Sequence, residues 1–178
     1  MGVMPPFASL TDGDCCRFKK GNGMFCPSDV SSFPWMEYAF QEFGTREIGG
    51  RRDNAAIVRY LATVGLGSHH DETAWCSAFA NWCMQQAGIP GSRRANARSW
   101  LNWGGYCLGT PHYGCVAILW RGRRNSWQGH VGFYVGIRGR KILLLGGNQG
   151  HSVSIKEYDR DRLLGYRWPQ GYALPNIF

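Results

Sequence analysis

The sequence predicts an α+β domain in which N-terminal helices pack on a C-terminal antiparallel sheet of about five strands. Three observations lead there. Between Pro34 and Trp103, apolar residues recur at three- and four-residue spacing, the period of a helix with one buried face. From Gly114 onward they fall instead into short runs separated by Gly- and Arg-rich turns, as strands of a meander do. The chain has 178 residues, 44% of them hydrophobic, which suits one buried core better than two. Helices first and strands afterwards make an α+β arrangement rather than alternating βα units.

The elements follow in order. Residues 1–31 read as an irregular, cysteine-containing extension, punctuated by Pro5-Pro6, Asp12-Gly13, Gly21-Asn22-Gly23 and Pro27; residues 32–178 are the domain. A first helix starts near Pro34, with Ser31 or Ser32 as cap, and ends about Gly44. Asp53 caps a second through Ile57, Tyr60 and Leu61, which stops before Gly65. The third carries Trp75, Ala78, Phe79, Trp82 and Cys83 on one face, with Asp71 or Thr73 at its start and Gly88 and Pro90 at its end. A shorter helix covers Ala95 to Trp103. Strands are expected over Cys115–Trp120, His130–Val135, Lys141–Leu145, Ser152–Ile155 and Leu163–Tyr166. There is no internal repeat and no low-complexity tract.

The formal charge is +8, so an acidic partner or substrate is favoured. Neither paired zinc-ligand spacing nor an aromatic RNA-binding strand occurs, and charge alone does not make a nucleic-acid binder. No apolar run is long enough for a transmembrane segment. The N-terminus lacks the basic-then-apolar pattern of a signal peptide, so action outside the cytoplasm is expected to need another route. Seven cysteines are present. If Cys76 is free for chemistry, the other six allow fifteen pairings. Neither Cys-x-x-Cys nor His-Glu-x-x-His spacing occurs, so no metal and no cofactor is expected; His69, His70, His112 and His151 read as loop residues.

Cys76 falls in the first turn of the third helix, at the edge of its apolar face. Partial positive charge and free N–H groups there favour a thiolate, so a lowered pKa is expected, and the same groups suit an oxyanion. Of the histidines, His130 opens a strand in Gly129-His130-Val131-Gly132-Phe133-Tyr134, where it alternates with Val131 and Phe133. A cysteine nucleophile needs such a base, and the base needs an orienting acceptor. Asn148, just past the next strand, is the first candidate and Gln149 the second. Trp75, Trp103 and Trp127, with Gln149, are candidate substrate-binding residues, alongside Trp100 and Trp120, core packing being the other use of such rings.

Together, Trp75-Cys76-Ser77-Ala78-Phe79, the His130 strand and Gly147-Asn148-Gln149 resemble the papain-like peptidoglycan hydrolases, the cysteine–histidine amidohydrolases/peptidases (CHAP) and their NlpC-like relatives. The blocks Asp71 to Phe79, Ala97 to Gly104 and Gly147 to Gln149 look most like a bacterial and phage subgroup, and the resemblance runs from about Pro34 to Pro169. It implies Cys76 as nucleophile, His130 as general base and acid, Asn148 as orienter, and bacterial peptidoglycan as substrate. Papain places a glutamine before its cysteine for the oxyanion. Here Glu72 and Thr73 stand there, and a carboxylate cannot donate, which leaves the Cys76 N–H as donor. The resemblance also implies delivery to a periplasm or cell wall, as an antibacterial effector opposed by an immunity protein or as a phage lysin. A non-catalytic wall-binding module and an acyl transferase are the alternatives.

Overall fold

The computed structural model describes residues 33–50, 52–107 and 111–173. The expected extension at 1–31 and the caps Ser31 and Ser32 lie outside them. Three α-helices, α1 (Pro34–Gln41), α2 (Ala55–Ala62) and α3 (Cys76–Gln86), precede a 3₁₀ helix over Ala97–Asn102 and a six-stranded sheet. The strands are β1 (Gly105–Tyr106), β2 (Val116–Trp120), β3 (Gly129–Arg138), β4 (Lys141–Gly146), β5 (Ser154–Asp159) and β6 (Leu163–Trp168). This is an α+β arrangement consistent with the papain-like fold of CHAP domains.

Capping differs from expectation in instructive ways. Asn54, not Asp53, caps α2 by accepting from the Ala56 N–H at 2.9 Å. Asp53 instead accepts from the Asp71 N–H, and Asp71 accepts from the Ile48 and Asn54 N–H groups, each at 2.8 Å. With Asp71 used there, α3 has no side-chain cap and starts directly after Trp75. A missing cap costs about 1 kcal/mol. Trp75 has no accessible surface, and burial of a Trp yields roughly 4–6 kcal/mol of gross apolar transfer. Packing, not capping, therefore sets where α3 begins. Its far end matches expectation, with Gly88 at φ +72, a conformation natural to glycine. The shorter helix is 3₁₀ in type and capped by Asn96.

The sheet order is β1-β6-β2-β3-β4-β5, antiparallel at every pairing. Strands β2 to β5 form the expected meander. Strand β6 leaves it, crossing back to pair with β2 rather than β5, and the short β1 adds an edge the sequence did not announce. Strand β5 is an edge lined by Lys156, Glu157 and Asp159, which face water; Asp159 pairs with Lys141 and Glu157 with Arg138. Charge on an edge strand discourages a further partner. On β3 every residue from His130 to Tyr134 is buried, so both faces of that strand are covered.

Helix α3 packs on β3, and α1 and α2 pack on α3. Tyr60, Trp75, Phe79 and Trp82 form one aromatic cluster there, and Phe79 meets Phe133 of the sheet at 6.5 Å. A second cluster joins Phe33 and Trp35 to Trp168 and Tyr172, which closes α1 onto β6.

Candidate active site

Cys76 is the first residue of α3. Its neighbour Ser77 is turned into the core, donating to the Arg94 carbonyl and accepting from the Trp100 indole N–H. These bonds fix the rotation of the first turn and so the direction of Cys76. The start of α3 lies tight against the end of β4. A Cβ added to Gly147 would stand 2.4 Å from the Trp75 ring and 2.6 Å from Phe79 Cβ. Only glycine allows that approach. Glu47 ties the same region together, accepting from the Trp75 indole N–H at 2.8 Å and pairing with His151 at 2.6 Å.

His130 lies on β3, opposite Leu119 of β2. Its Nε2 is 3.0 Å from Oε1 of Gln149, and its ring packs on Tyr158 with centroids 5.2 Å apart. Gln149 is almost fully buried and uses all of its amide. Its Nε2 donates to the carbonyls of Leu144, at 3.1 Å, and Ser154, and its Oε1 accepts from the Tyr158 hydroxyl at 2.9 Å. Rotating the amide by half a turn would set its oxygen against two carbonyl oxygens. The oxygen therefore faces His130, and the imidazole Nε2 must carry the proton. Nδ1 is left as the basic nitrogen.

Cys76 and His130 share one neighbourhood. The N–H of Val131, the residue after His130, stabilises the ionised Cys76 sulfur, together with the N–H groups of Ser77 and Cys76 itself. Tyr158, stacked on His130, is also coupled electrostatically to Cys76.

The thiol itself corrects the expectation. Burial pushes the Cys76 pKa up, not down; the three N–H groups and Arg121 oppose this but do not reverse it. A short helix start supplies only partial charge, and loss of water outweighs it. The residue still keeps part of its surface accessible. Burial likewise lowers the His130 pKa to about 4, against the Gln149 hydrogen bond, and Arg162, Arg121 and Lys156 depress it further. At neutral pH both groups are thus uncharged. Tyr158 is pushed up to about 12, mainly by burial, and remains a hydroxyl donor.

The other expected residues are distributed differently. Asn148 sits in the same turn at φ 56, and its side chain makes no hydrogen bond among the described residues. The acceptor on the imidazole belongs to Gln149, the second candidate, because the turn aims residue 149 inward while Asn148 supplies left-handed backbone. Trp75 is core, without surface to offer a substrate, and Gln149 is likewise turned inward to His130. Trp103 packs on Trp100 at 4.7 Å and donates to the Pro90 carbonyl. Trp100 is fully buried, and Trp120 donates to the Asp161 carbonyl under Arg162. Trp127 alone of these is largely exposed, at 74%. Tyr158 and Arg162 were missed. Both join the site through strand pairing and side-chain stacking, which no local sequence pattern reports.

Two clefts of about 410 Å³ flank the α3 region, one at Thr63, Asn81 and Gln85, the other at Glu47, Gly49, Glu72 and His151; neither is lined by Cys76 or His130. Among the described residues, no group of three or more His, Cys, Asp or Glu is placed to hold a metal ion. No described helix is long and apolar enough to cross a membrane.

A cysteine at a helix start beside a strand histidine, within this helix-on-sheet arrangement, defines the papain-like class. Comparison with protein families agrees: the CHAP domain model matches residues 68–148, consistent with a CHAP or NlpC-like peptidoglycan hydrolase. That stretch holds α3, β3, Cys76, His130 and Asn148; Gln149 follows it directly. The match suggests peptidoglycan hydrolase activity, since CHAP domains are typically cysteine- and histidine-dependent amidases or peptidases. No curated protein matches the chain.

Proposed function

We propose that this protein cleaves an amide bond in the stem peptide of bacterial peptidoglycan through a Cys76 acyl-enzyme. The observation that carries the reading is the orientation of His130. Gln149 holds the proton on Nε2, so Nδ1 is left as the base, on the residue next to Val131, whose N–H reaches the Cys76 sulfur.

The mechanism follows from the two pKa directions. With the thiol raised and the imidazole lowered, the resting pair is neutral, and moving the proton beforehand is uphill. The transfer to Nδ1 therefore accompanies attack of sulfur on the carbonyl carbon. The oxyanion that develops is held by the N–H of Cys76 at the start of α3. The imidazolium, stabilised by the Gln149 oxygen, gives its proton to the departing amine. Water then attacks the thioester, His130 again taking a proton, and the free acid leaves. General-base assistance of this kind contributes about 10²–10⁴-fold.

Arg121, Arg162 and Lys156, all within electrostatic reach of His130, suit a substrate rich in carboxylates. Among the described residues none of the three is in a salt bridge with an acidic side chain. The net charge of +8 fits the anionic wall as a whole and an acidic immunity protein. We assign the biological setting to an antibacterial effector delivered to the target's periplasm, a phage lysin being the other setting for the same chemistry.

The test is release of soluble fragments from isolated sacculi by wild type and Cys76→Ala, followed by mass spectrometry of the muropeptides. Lysis is expected from wild type alone, with a new free amine and carboxyl at one stem bond. Equal release by both proteins rejects the proposal.

A further inference from the structure

A pair of thiols lies away from Cys76 and His130, and the proposed chemistry does not use it. Cys107, just after β1, and Cys115, just before β2, are both buried, with their sulfurs 2.9 Å apart. We propose that Cys107 and Cys115 are a disulfide site, oxidised to an intrachain bridge when the protein meets a disulfide oxidant.

Several features favour a covalent bridge over a chance contact. The sulfurs need to close by only about 0.9 Å to reach the bonded distance of about 2.05 Å. The backbone on each side is anchored: the Cys107 N–H donates to the Tyr166 carbonyl, and the Cys115 carbonyl accepts from the Tyr134 N–H. The two sulfurs are therefore held facing each other by β6 and β3, on either side of the short connection. The His112 N–H also donates to the Cys115 sulfur at 3.3 Å. A shared metal ion is the other use of paired thiols, but no third ligating side chain joins them among the described residues, and the His112 ring stacks toward Trp168 instead. Cys83 is also buried, but it packs in the aromatic cluster around α3 and approaches no other cysteine among the described residues.

The chemistry balances with a small-molecule disulfide such as oxidised glutathione. One cysteine thiolate attacks it and releases one thiolate, leaving a mixed disulfide; the second cysteine thiolate attacks the protein sulfur and releases the other. Two protein thiols lose two protons and two electrons, and the oxidant is reduced to two thiols. Burial raises the Cys115 thiol strongly, so exchange in the folded protein is slow in both directions and the bridge resists reduction. The bridge ties edge strand β1 to β2 across the connection and leaves Cys76 reduced for its own role.

The experiment uses the full chain, equilibrated in glutathione buffers of increasing oxidised fraction, alkylated, and digested with chymotrypsin, which cuts between the two cysteines after Tyr113. The expected product is the Cys107 peptide joined to the Cys115 peptide, separated by dithiothreitol, with a thermal midpoint about 5 °C higher in the oxidised protein. In the Cys107→Ser, Cys115→Ser double variant the redox-dependent shift is expected to vanish. Recovery of both cysteines alkylated from the oxidised sample, or either one joined to a different cysteine, overturns the inference. Persistence of the thermal shift in the double variant does so as well. None of these outcomes bears on hydrolysis by Cys76.

Discussion

Replacing Gln149 by Ala separates the two residues that compete for the role of orienter. The buried amide makes four hydrogen bonds: to His130, Tyr158, Leu144 and Ser154. The two carbonyls keep a second lone pair for other partners, so most of the cost falls on the His130 N–H and the Tyr158 hydroxyl. A buried donor without an acceptor costs about 1–3 kcal/mol, and water entering the vacated space recovers part, giving roughly 3 kcal/mol of lost stability. The turn itself persists, because it is held by backbone groups: the Gln149 N–H donates to Ser152, and the Gln149 carbonyl accepts from the Ser152 and Ser154 hydroxyls. Without the amide oxygen, the imidazole is free to adopt the Nδ1–H tautomer, which cannot take the thiol proton. The rate should fall by about 10²–10⁴-fold. Asn148→Ala should instead lose only about 1 kcal/mol, from placing alanine at φ 56, and keep kcat within about threefold. The assays are urea unfolding, fragment release from sacculi, and nitrogen NMR of the His130 ring, which reports the tautomer directly. A folded Gln149→Ala protein with full activity and an unchanged Nε2–H signal would refute the reasoning. So would an Asn148→Ala protein as impaired as Gln149→Ala.

Three further outcomes follow from the same geometry. Because the folded pKa of His130 is about 4, below the unfolded value of about 6.5, its stability contribution is complete above pH 6.5 and is lost as pH falls toward 4. The loss amounts to roughly 3 kcal/mol; urea midpoints across that range should show it, and His130→Asn should flatten the slope. The acid limb of kcat/KM should lie correspondingly low, nearer 4 than 6.5, and a limb at 6.5 would count against a buried neutral imidazole. Gly147→Ala should force the start of α3 off β4, costing about 1–3 kcal/mol and lowering kcat through displacement of Cys76; unchanged unfolding and activity would show that the contact yields freely.

Legibility in the sequence followed the range of the interaction. The periodicity around Trp75, Phe79 and Cys83 located α3, because a helix face is written within a few residues. Gly88 marked its end for the same reason. The candidate cysteine and histidine could be singled out because each occupies a distinctive place on its own element. The caps were less so: Asp53 and Asp71 are sound capping residues, yet they bond each other's segments, a choice made between stretches of chain seventeen or more residues apart.

By itself, then, the sequence determined the α+β class, the helix that carries Cys76 in its first turn, the strand that carries His130, and a resemblance covering most of the chain. Only the tertiary structure decided that β6 pairs with β2, that Gln149 rather than Asn148 reaches the imidazole, and that Tyr158 stacks on it. It also decided the charge state of the pair. A helix start acts locally and favours a thiolate, but the sheet and aromatic cluster around Cys76 and His130 remove water from both. Desolvation is a sum over everything packed nearby, so it exists only once distant parts of the chain have met.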